Sequence, residues 1–153
     1  MPQADAGPNR LRIGIDAENL LHDRRGIGRY VRALLRRWID DESIDLTLLV
    51  AHPFPGMRTR KLATILDVPR VAAASRGSAA RGRRFDVLWH PWNGIFFDSD
   101  CPQVATIHDV WPFVDAPADD PALARHTQEP FLRAAARAAR IITCLLYTSD
   151  AAD

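Results

Sequence analysis

Hydrophobic positions along the chain fall into two kinds of pattern, short continuous runs and stripes with helical spacing. The first run covers residues 11–16, contains β-branched side chains and ends on Asp16, which predicts a β-strand. After an intervening loop, apolar side chains recur at i, i+3, i+4, i+7 and i+8 from Ile27 to Ile39, which predicts an amphipathic helix. The chain therefore begins as strand, loop and helix.

The rest of the chain continues this alternation. Further strands are predicted over 45–51, 68–73, 85–90, 102–109 and from 140, helices over 58–67, from Pro121 and over 131–139, and an exposed basic loop over 75–84. Asp120 is the predicted cap of the helix at Pro121, and Pro130 is predicted to separate the last two helices. Strands alternating with helices predict an α/β fold, a Rossmann-like parallel sheet with helices on both faces.

Polar residues stand at the ends of three predicted strands. Asp16 ends the first strand, His90 ends the fourth, and His108 and Asp109 end the fifth. In an open α/β sheet, ligands bind in the crevice beyond the carboxyl ends of the strands. We therefore expect these residues to meet at a binding cleft.

A loop with paired glycines comes directly before the first helix. It reads Gly26-Ile27-Gly28-Arg29-Tyr30. Glycine lets a ligand approach the backbone, and a helix start offers N–H groups and the positive end of the dipole, so the loop predicts a phosphate site. The alternative is a plain helix-entry loop with glycines for geometry. The dinucleotide fingerprint does not fit, because Val31 occupies its third glycine position and a long loop separates the glycines from the strand.

His108 and Asp109 are the candidate catalytic residues. An imidazole in the predicted crevice can donate a hydrogen bond to a sugar hydroxyl or a phosphate, or act as an acid or base. The alternative is a histidine whose hydrogen bonds are satisfied within the protein, followed by an aspartate that caps a turn.

The segment after the fourth predicted strand is a second candidate. It reads His90-Pro91-Trp92-Asn93-Gly94. Trp92 can lie against the face of a sugar, and Asn93 can bond its hydroxyls. The alternative is a simple turn of the kind that Pro, Asn and Gly favour.

Composition and charge narrow the classes of function. The 153 residues suffice for one domain, and the net charge of +1 indicates no nucleic-acid partner. No apolar run approaches the roughly 20 residues of a membrane span. Residues 1–10 are polar, are expected to be disordered and lack the apolar core of a signal peptide, so a cytoplasmic chain is expected.

No metal site is predicted from the sequence. The two cysteines are too few for a disulfide framework, and the histidines do not cluster at metal-ligand spacing. Asp98 and Asp100 have a spacing that can chelate a divalent cation, although an acidic turn is the favoured interpretation.

Four segments, taken in order, resemble the N-terminal domain of glycosyltransferase family 4, whose members are retaining enzymes of the GT-B type. The segments are residues 13–16, 26–30, 86–93 and 104–109. The resemblance covers residues 11–143. It implies transfer of a hexose, of mannosyl or glucosyl type, from a nucleotide-diphosphate sugar to a saccharide or lipid-linked acceptor, without a metal or other cofactor. Contact of the parent enzyme with a membrane would be peripheral.

The resemblance also implies roles for individual residues. Gly26 and Gly28, with Ile27 and Arg29 between and beside them, would form the loop near the donor diphosphate and the acceptor. His108 would contact the donor sugar near its reacting carbon. Asp109 and Asn93 would line the acceptor side, within a sugar-binding cleft that also contains Asp16, His90 and Trp92.

The family places its nucleotide pocket in a second Rossmann-like domain, after the region that this chain resembles. Residues 144–153 instead resemble a translated sequencing adapter and are interpreted as an artefactual tail. The expectation is therefore an N-terminal fragment that is inactive by itself. The alternative hypothesis is a stand-alone Rossmann-like module that binds a phosphorylated ligand.

Overall fold

Six parallel strands form one sheet, which confirms the predicted α/β architecture. The computed structural model describes residues 10–24, 26–77, 85–114 and 120–143. The strands are β1 (Leu11–Asp16), β2 (Ile44–Val50), β3 (Ala73–Ser75), β4 (Val87–His90), β5 (Gln103–Ile107) and β6 (Arg140–Thr143). Their order across the sheet is β3-β2-β1-β4-β5-β6, and each neighbouring pair is parallel. Two predicted segments lie outside the described residues. They are the disordered N-terminus, of which only residue 10 is described, and the artefactual tail 144–153.

Helices connect the strands. They are a short 3-10 helix (Asn19–Leu21), α1 (Gly26–Ile39), α2 (Gly56–Leu66), α3 (Trp111–Val114) and α4 (Pro121–Arg137). Asp120 caps α4 as predicted, because its carboxylate accepts hydrogen bonds from the N–H groups of Ala122 and Leu123. No helix in the described ranges is both long and apolar enough to cross a membrane.

The two faces of the sheet carry separate hydrophobic clusters. On one face, Val31 and Leu35 of α1 and Leu62 of α2 pack against Ile15 and Leu48 of the central strands. On the other, Ala134 of α4 packs against Ala105 and Ile95. Leu49 of β2 and Leu88 of β4 are buried in a further cluster with Phe85, so the central strands carry buried apolar side chains on both sides, as the apolar sequence of β2 predicts for a strand inside a parallel sheet.

The amino ends of β1 and β4 are joined by an ion pair. The Arg12 guanidinium donates to the Asp86 carboxylate at 2.7 Å, and the Arg12 backbone N–H donates to the same group at 2.8 Å. These hydrogen bonds lower the pKa of Asp86 to about 2. The pair lies at the edge of the sheet opposite the predicted cleft.

Two predicted boundaries are wrong. Pro130 does not divide two helices, because α4 continues through it and its carbonyl accepts a hydrogen bond from the Ile95 N–H at 3.0 Å. An internal proline can kink a helix without ending it. The third strand is β3 and not 68–73, because Asp67 adopts a left-handed conformation (φ 56°) that ends α2, and the Val68 N–H still bonds to the Ala63 carbonyl.

Candidate functional site

The carboxyl ends of β1, β4 and β5 lie side by side, so the predicted strand-end residues meet at one edge of the sheet. Asp16 and His90 are the last residues of β1 and β4, and His108 directly follows β5. Connections run outward in opposite directions from β1 and β4, which makes the gap between these two strands the topological switch point. This is the position at which open α/β sheets bind ligands.

Asp16 is buried and belongs to an internal ion pair. Its two carboxylate oxygens accept hydrogen bonds from the Arg76 guanidinium at 2.6 and 2.9 Å, and its side chain has no exposed surface. Arg76 also lies over the ring of Phe97, 5.5 Å from its centroid. The Asp16 carboxylate is therefore bound inside the protein and has no exposed surface for the predicted sugar contact.

His90 is a core residue with one hydrogen bond. Its Nε2 lies 2.9 Å from the side-chain oxygen of Gln103, whose amide nitrogen donates to the Ser99 carbonyl. Because the Gln103 oxygen can only accept, His90 Nε2 carries the proton. Nδ1 has no hydrogen-bond partner among the described residues and faces an Asp16 carboxylate oxygen at 3.9 Å. His90 is fully buried, so none of its surface is exposed for the predicted sugar contact.

Trp92 is an internal residue at the switch point. Its indole N–H donates to the main-chain carbonyl of Asp16 at 2.6 Å, and only 5% of the residue is exposed. The side chain belongs to the hydrophobic cluster beneath α1. Little of Trp92 is therefore exposed for the predicted packing against a sugar face. The residue ties the end of β1 to the loop after β4.

Asn93 brings the loop after β4 into contact with the end of β5. Its side-chain oxygen accepts from the His108 N–H at 2.6 Å, and its side-chain nitrogen donates to Asp109 at 3.2 Å. Its own N–H donates to the Thr106 carbonyl at 3.1 Å. The residue has a positive φ of 61°, which asparagine tolerates better than most residues. Both predicted properties, a turn residue and a polar group in the cleft, are thus present.

His108 and Asp109 keep partly exposed side chains at this edge. His108 Nε2 donates to the Pro91 carbonyl at 2.9 Å, so in the neutral ring Nδ1 is an acceptor, and no described residue bonds to it. Asp109 accepts from the Trp111 N–H at 3.3 Å as well as from Asn93. These contacts fit the simpler alternative of a histidine bonded within the protein and a capping aspartate, except that His108 Nδ1 stays open among the described residues. They also fix the orientation of both side chains.

The glycine loop differs from a plain phosphate cradle. The Gly28 N–H donates to the Asp23 carboxylate at 3.0 Å, and a Cβ at Gly28 would lie 2.2 Å from the Asp23 carbonyl oxygen. Glycine at position 28 is therefore explained by the close approach of the protein's own backbone. The Gly28 N–H already donates to a negatively charged side chain. Gly26 is different, since it is exposed with φ +43° and has open space at its Cβ position. Arg29 is exposed and Ile27 packs against the core.

Tyr30 connects this loop to the strand ends. Its ring meets the His108 ring edge-on, with centroids 5.5 Å apart, and also contacts Trp89 of β4 at 6.1 Å. The start of α1 is thus adjacent to the candidate catalytic histidine. The sequence motif contains Tyr30, but it predicts no role for this residue in the site. Arg76 was predicted to lie in an exposed basic loop, but it pairs with the buried Asp16, and Asp23 was given no role; neither residue stands in a recognisable motif.

The acidic turn holds no cation ligand set. Asp98 pairs with Arg137 at 2.9 Å, and the described residues contain no group of three or more side chains suited to a metal. A cleft of about 680 Å³, lined by residues such as Thr59, Thr64 and Val71, lies where α2 ends and the chain leads into β3. That is the amino edge of the sheet, away from the switch point.

Together, the fold and this edge define a Rossmann-like α/β protein in which hydrogen bonds join Asn93, His108 and Asp109 at the carboxyl edge of the sheet. Comparisons of the chain with protein-family models, curated proteins and solved structures give no match.

Proposed function

We propose that this chain is the acceptor-side domain of a retaining hexosyltransferase of the GT-B type, which uses a nucleotide-diphosphate sugar. The observation that carries the proposal is the contact among three separate segments of the resemblance. Tyr30, at the end of the glycine loop, packs on His108, and Asn93 of a third segment bonds to both His108 and Asp109. Residues far apart in sequence form one polar wall at the switch point.

The wall offers hydrogen-bond acceptors that suit sugar hydroxyls. The Asp109 carboxylate accepts from the acceptor's hydroxyl groups, and the unprotonated Nδ1 of His108 accepts from a hydroxyl of the transferred hexose. Because Nε2 of His108 is held by the Pro91 carbonyl, the ring presents this acceptor in a fixed direction. Fixed acceptors favour one orientation of a sugar, which is the main requirement for transfer to a chosen hydroxyl.

The reaction implied is a front-face displacement. The bond between the anomeric carbon and the diphosphate oxygen breaks, and a bond from the acceptor oxygen forms on the same face of the ring. The acceptor's proton passes to the departing phosphate oxygen, so no protein base is consumed. In this scheme Asp109 orients the acceptor, and the open side of Gly26 is the part of the glycine loop that a phosphate can approach.

A transfer assay tests the proposal. The natural coding sequence that contains residues 11–143 is expressed in full and incubated with UDP-glucose or GDP-mannose and a saccharide acceptor. We expect hexose transfer with retained configuration, and a loss of about 100-fold or more in His108→Ala. The exposed Arg37→Ala on α1 is the matched control and keeps full activity. Absence of transfer with a range of nucleotide sugars and acceptors contradicts the proposal.

One observation favours the second candidate, a module that binds a phosphorylated ligand. Gly26 is open at the start of a 14-residue helix, and exposed Arg24 and Arg29 flank it. Titration with inorganic pyrophosphate distinguishes the two. Micromolar binding that Arg29→Ala weakens, together with no saccharide binding, favours the module.

A further inference from the structure

His90 is buried at the carboxyl end of β4, and none of the roles above uses its titratable ring. The residue has no exposed surface. Its Nε2 donates to the Gln103 side-chain oxygen at 2.9 Å, whereas Nδ1 has no hydrogen-bond partner among the described residues. A buried polar atom without a partner is rare in folded proteins and calls for a physical explanation.

The Gln103 amide determines which ring nitrogen of His90 lacks a proton. Its side-chain nitrogen donates to the Ser99 carbonyl at 3.3 Å, so its oxygen is turned toward His90. Because an amide oxygen only accepts, the neutral ring keeps its proton on Nε2 and leaves Nδ1 with a free lone pair. The described residues offer Nδ1 no donor, so a second proton on the ring is what turns this nitrogen into a hydrogen-bonding atom.

The group that faces Nδ1 is a carboxylate. An Asp16 oxygen lies 3.9 Å from Nδ1, and both side chains are without exposed surface. In the neutral state two acceptors therefore face each other in the interior, which is unfavourable for both. A proton on Nδ1 replaces this contact by a charge-assisted hydrogen bond from the imidazolium to the carboxylate, once the gap closes by about 1 Å.

Groups from four elements surround His90, and in the described part of the chain two of them are charged. Asp16 of β1 favours the protonated ring. Arg76, at the end of β3, opposes it, because its guanidinium already binds the same carboxylate at 2.6 and 2.9 Å. Gln103 of β5 and Phe97 of the loop after β4 are neutral; the Phe97 ring centroid lies 4.9 Å from that of His90 and 5.5 Å from the Arg76 guanidinium. The charge of the imidazole thus depends on the balance between one opposite and one like charge.

Two short connections join His90 to the polar wall. The next residue is Pro91, whose carbonyl accepts from His108 Nε2 at 2.9 Å and sets the direction of that ring. In addition, the main-chain carbonyl of Asp16 accepts from the Trp92 indole N–H at 2.6 Å, which ties the loop after β4 to the end of β1. A movement of His90 toward Asp16 therefore acts on the groups that orient His108.

We propose that His90 is a proton-operated switch at the carboxyl edge of the sheet. Nδ1 takes up a second proton from solvent, and the imidazolium donates a hydrogen bond to Asp16. The end of β4 moves with the ring, which shifts the Pro91 carbonyl and changes the direction of His108. His90 is thus a positioning residue that acts through Pro91, and it makes the orientation of His108 depend on pH. It acts in this way whether or not the chain transfers a hexose, so its test is independent of the proposed function.

The test is an NMR titration of the ¹⁵N-labelled chain from pH 8 to pH 5, the range in which histidine side chains ordinarily change their charge. Correlations within the imidazole report the protonation of both ring nitrogens. For His90 we expect N–H on Nε2 alone at pH 8 and a second N–H on Nδ1 as the pH falls. The Trp92 indole N–H and the His108 ring should each show a step with the same midpoint. A His90 ring that keeps a bare Nδ1 down to pH 5, or one whose protonation leaves the His108 signals without such a step, overturns the proposal.

Charge variants test the balance between Asp16 and Arg76. Arg76→Met removes the like charge and is expected to raise the pH at which the second N–H of His90 appears, whereas Asp16→Asn is expected to lower it. Arg76→Lys is the matched control, because it keeps a positive charge, and it should raise this pH less than Arg76→Met does. The same midpoint in all three variants refutes the pairing of His90 with Asp16.

Two variants that remove one imidazole each show which ring is responsible. His90→Gln keeps a donor for Gln103 but has no site for a second proton, so the step of the Trp92 indole N–H should disappear. His108→Gln is the matched control, in which this step should persist with the midpoint of His90. A Trp92 step that persists in His90→Gln contradicts the switch. If a variant does not fold, the titration of the wild type decides by itself.

Discussion

The side-chain oxygen of Asn93 accepts a hydrogen bond of 2.6 Å from the backbone N–H of His108. The nitrogen of the same amide donates to Asp109, so one side chain after β4 positions both residues that follow β5. His108 and Asp109 thereby acquire a defined orientation relative to the switch point.

Replacing Asn93 by alanine is expected to destabilise the chain by about 2–4 kcal/mol. The variant loses two side-chain hydrogen bonds and places a less tolerant residue at a positive φ. Asn93→Gly is the informative comparison, because glycine accepts the backbone conformation and removes only the hydrogen bonds. Urea unfolding should place Asn93→Gly between the wild type and Asn93→Ala; equal stability of all three contradicts the role of this amide.

The two glycines before α1 are expected to respond differently to alanine. Gly28→Ala forces the new Cβ against the Asp23 backbone and should cost about 2–3 kcal/mol or more. The Cβ added by Gly26→Ala meets no atoms, so this variant should lose only about 1 kcal/mol of stability, because of the positive φ at this position. Thermal or urea unfolding measures both. A larger loss at Gly26 would refute the assignment of Gly28 to internal packing.

Breaking the buried pair between Arg76 and Asp16 is expected to cost about 3–5 kcal/mol, because Arg76→Met leaves a carboxylate with no exposed surface unpaired. The double variant Arg76→Met with Asp16→Asn should recover part of this loss, since the uncompensated charge is removed. A double-mutant cycle built from the free energies of urea unfolding gives the coupling free energy between Arg76 and Asp16. Additive losses would show that the pair does not act as a unit.

Stability should depend on the Arg12–Asp86 pair in a defined pH range. The pKa of Asp86 is lowered to about 2 in the folded chain, against about 3.9 for an unperturbed aspartate. The stabilising contribution is therefore fully present above about pH 4 and is lost as the pH falls through about 2. Asp86→Asn should reduce stability at pH 7 and converge on the wild type toward pH 2. A stability difference between Asp86→Asn and the wild type that does not depend on pH contradicts this account. Glycoside binding at the opposite edge of the sheet should be unchanged in this variant.

The fold followed from the sequence because its signals are local. Apolar runs, the helical stripe of α1 and the cap at Asp120 predicted the α/β sheet and the edge at which Asp16, His90 and His108 meet. Burial at that edge could not be predicted, because it depends on Arg76, which approaches from the end of β3 and pairs with Asp16. The same holds for Asp23, whose contact with Gly28 appears only when the loop is folded.

Helix and strand boundaries at prolines and turns were less predictable. Pro130 carries the sequence signal of a helix break, but its carbonyl bonds to Ile95 and α4 continues. Trp92 illustrates a related problem. An aromatic residue in a Pro-Trp-Asn-Gly turn fits an exposed sugar platform equally well, and only the bond from its indole N–H to Asp16 shows that it is internal.

Binding of a simple saccharide to the polar wall tests the central claim most directly. The isotope-labelled chain is titrated with methyl β-D-glucopyranoside and methyl α-D-mannopyranoside while backbone amide signals are recorded by NMR. We predict chemical shift changes of the Asn93, His108 and Asp109 amides that saturate at millimolar concentrations of at least one of the two glycosides. The Asp109→Ala variant should lose these changes. No shift at these amides, or shifts confined to the cleft beside α2, would contradict an acceptor site at the switch point.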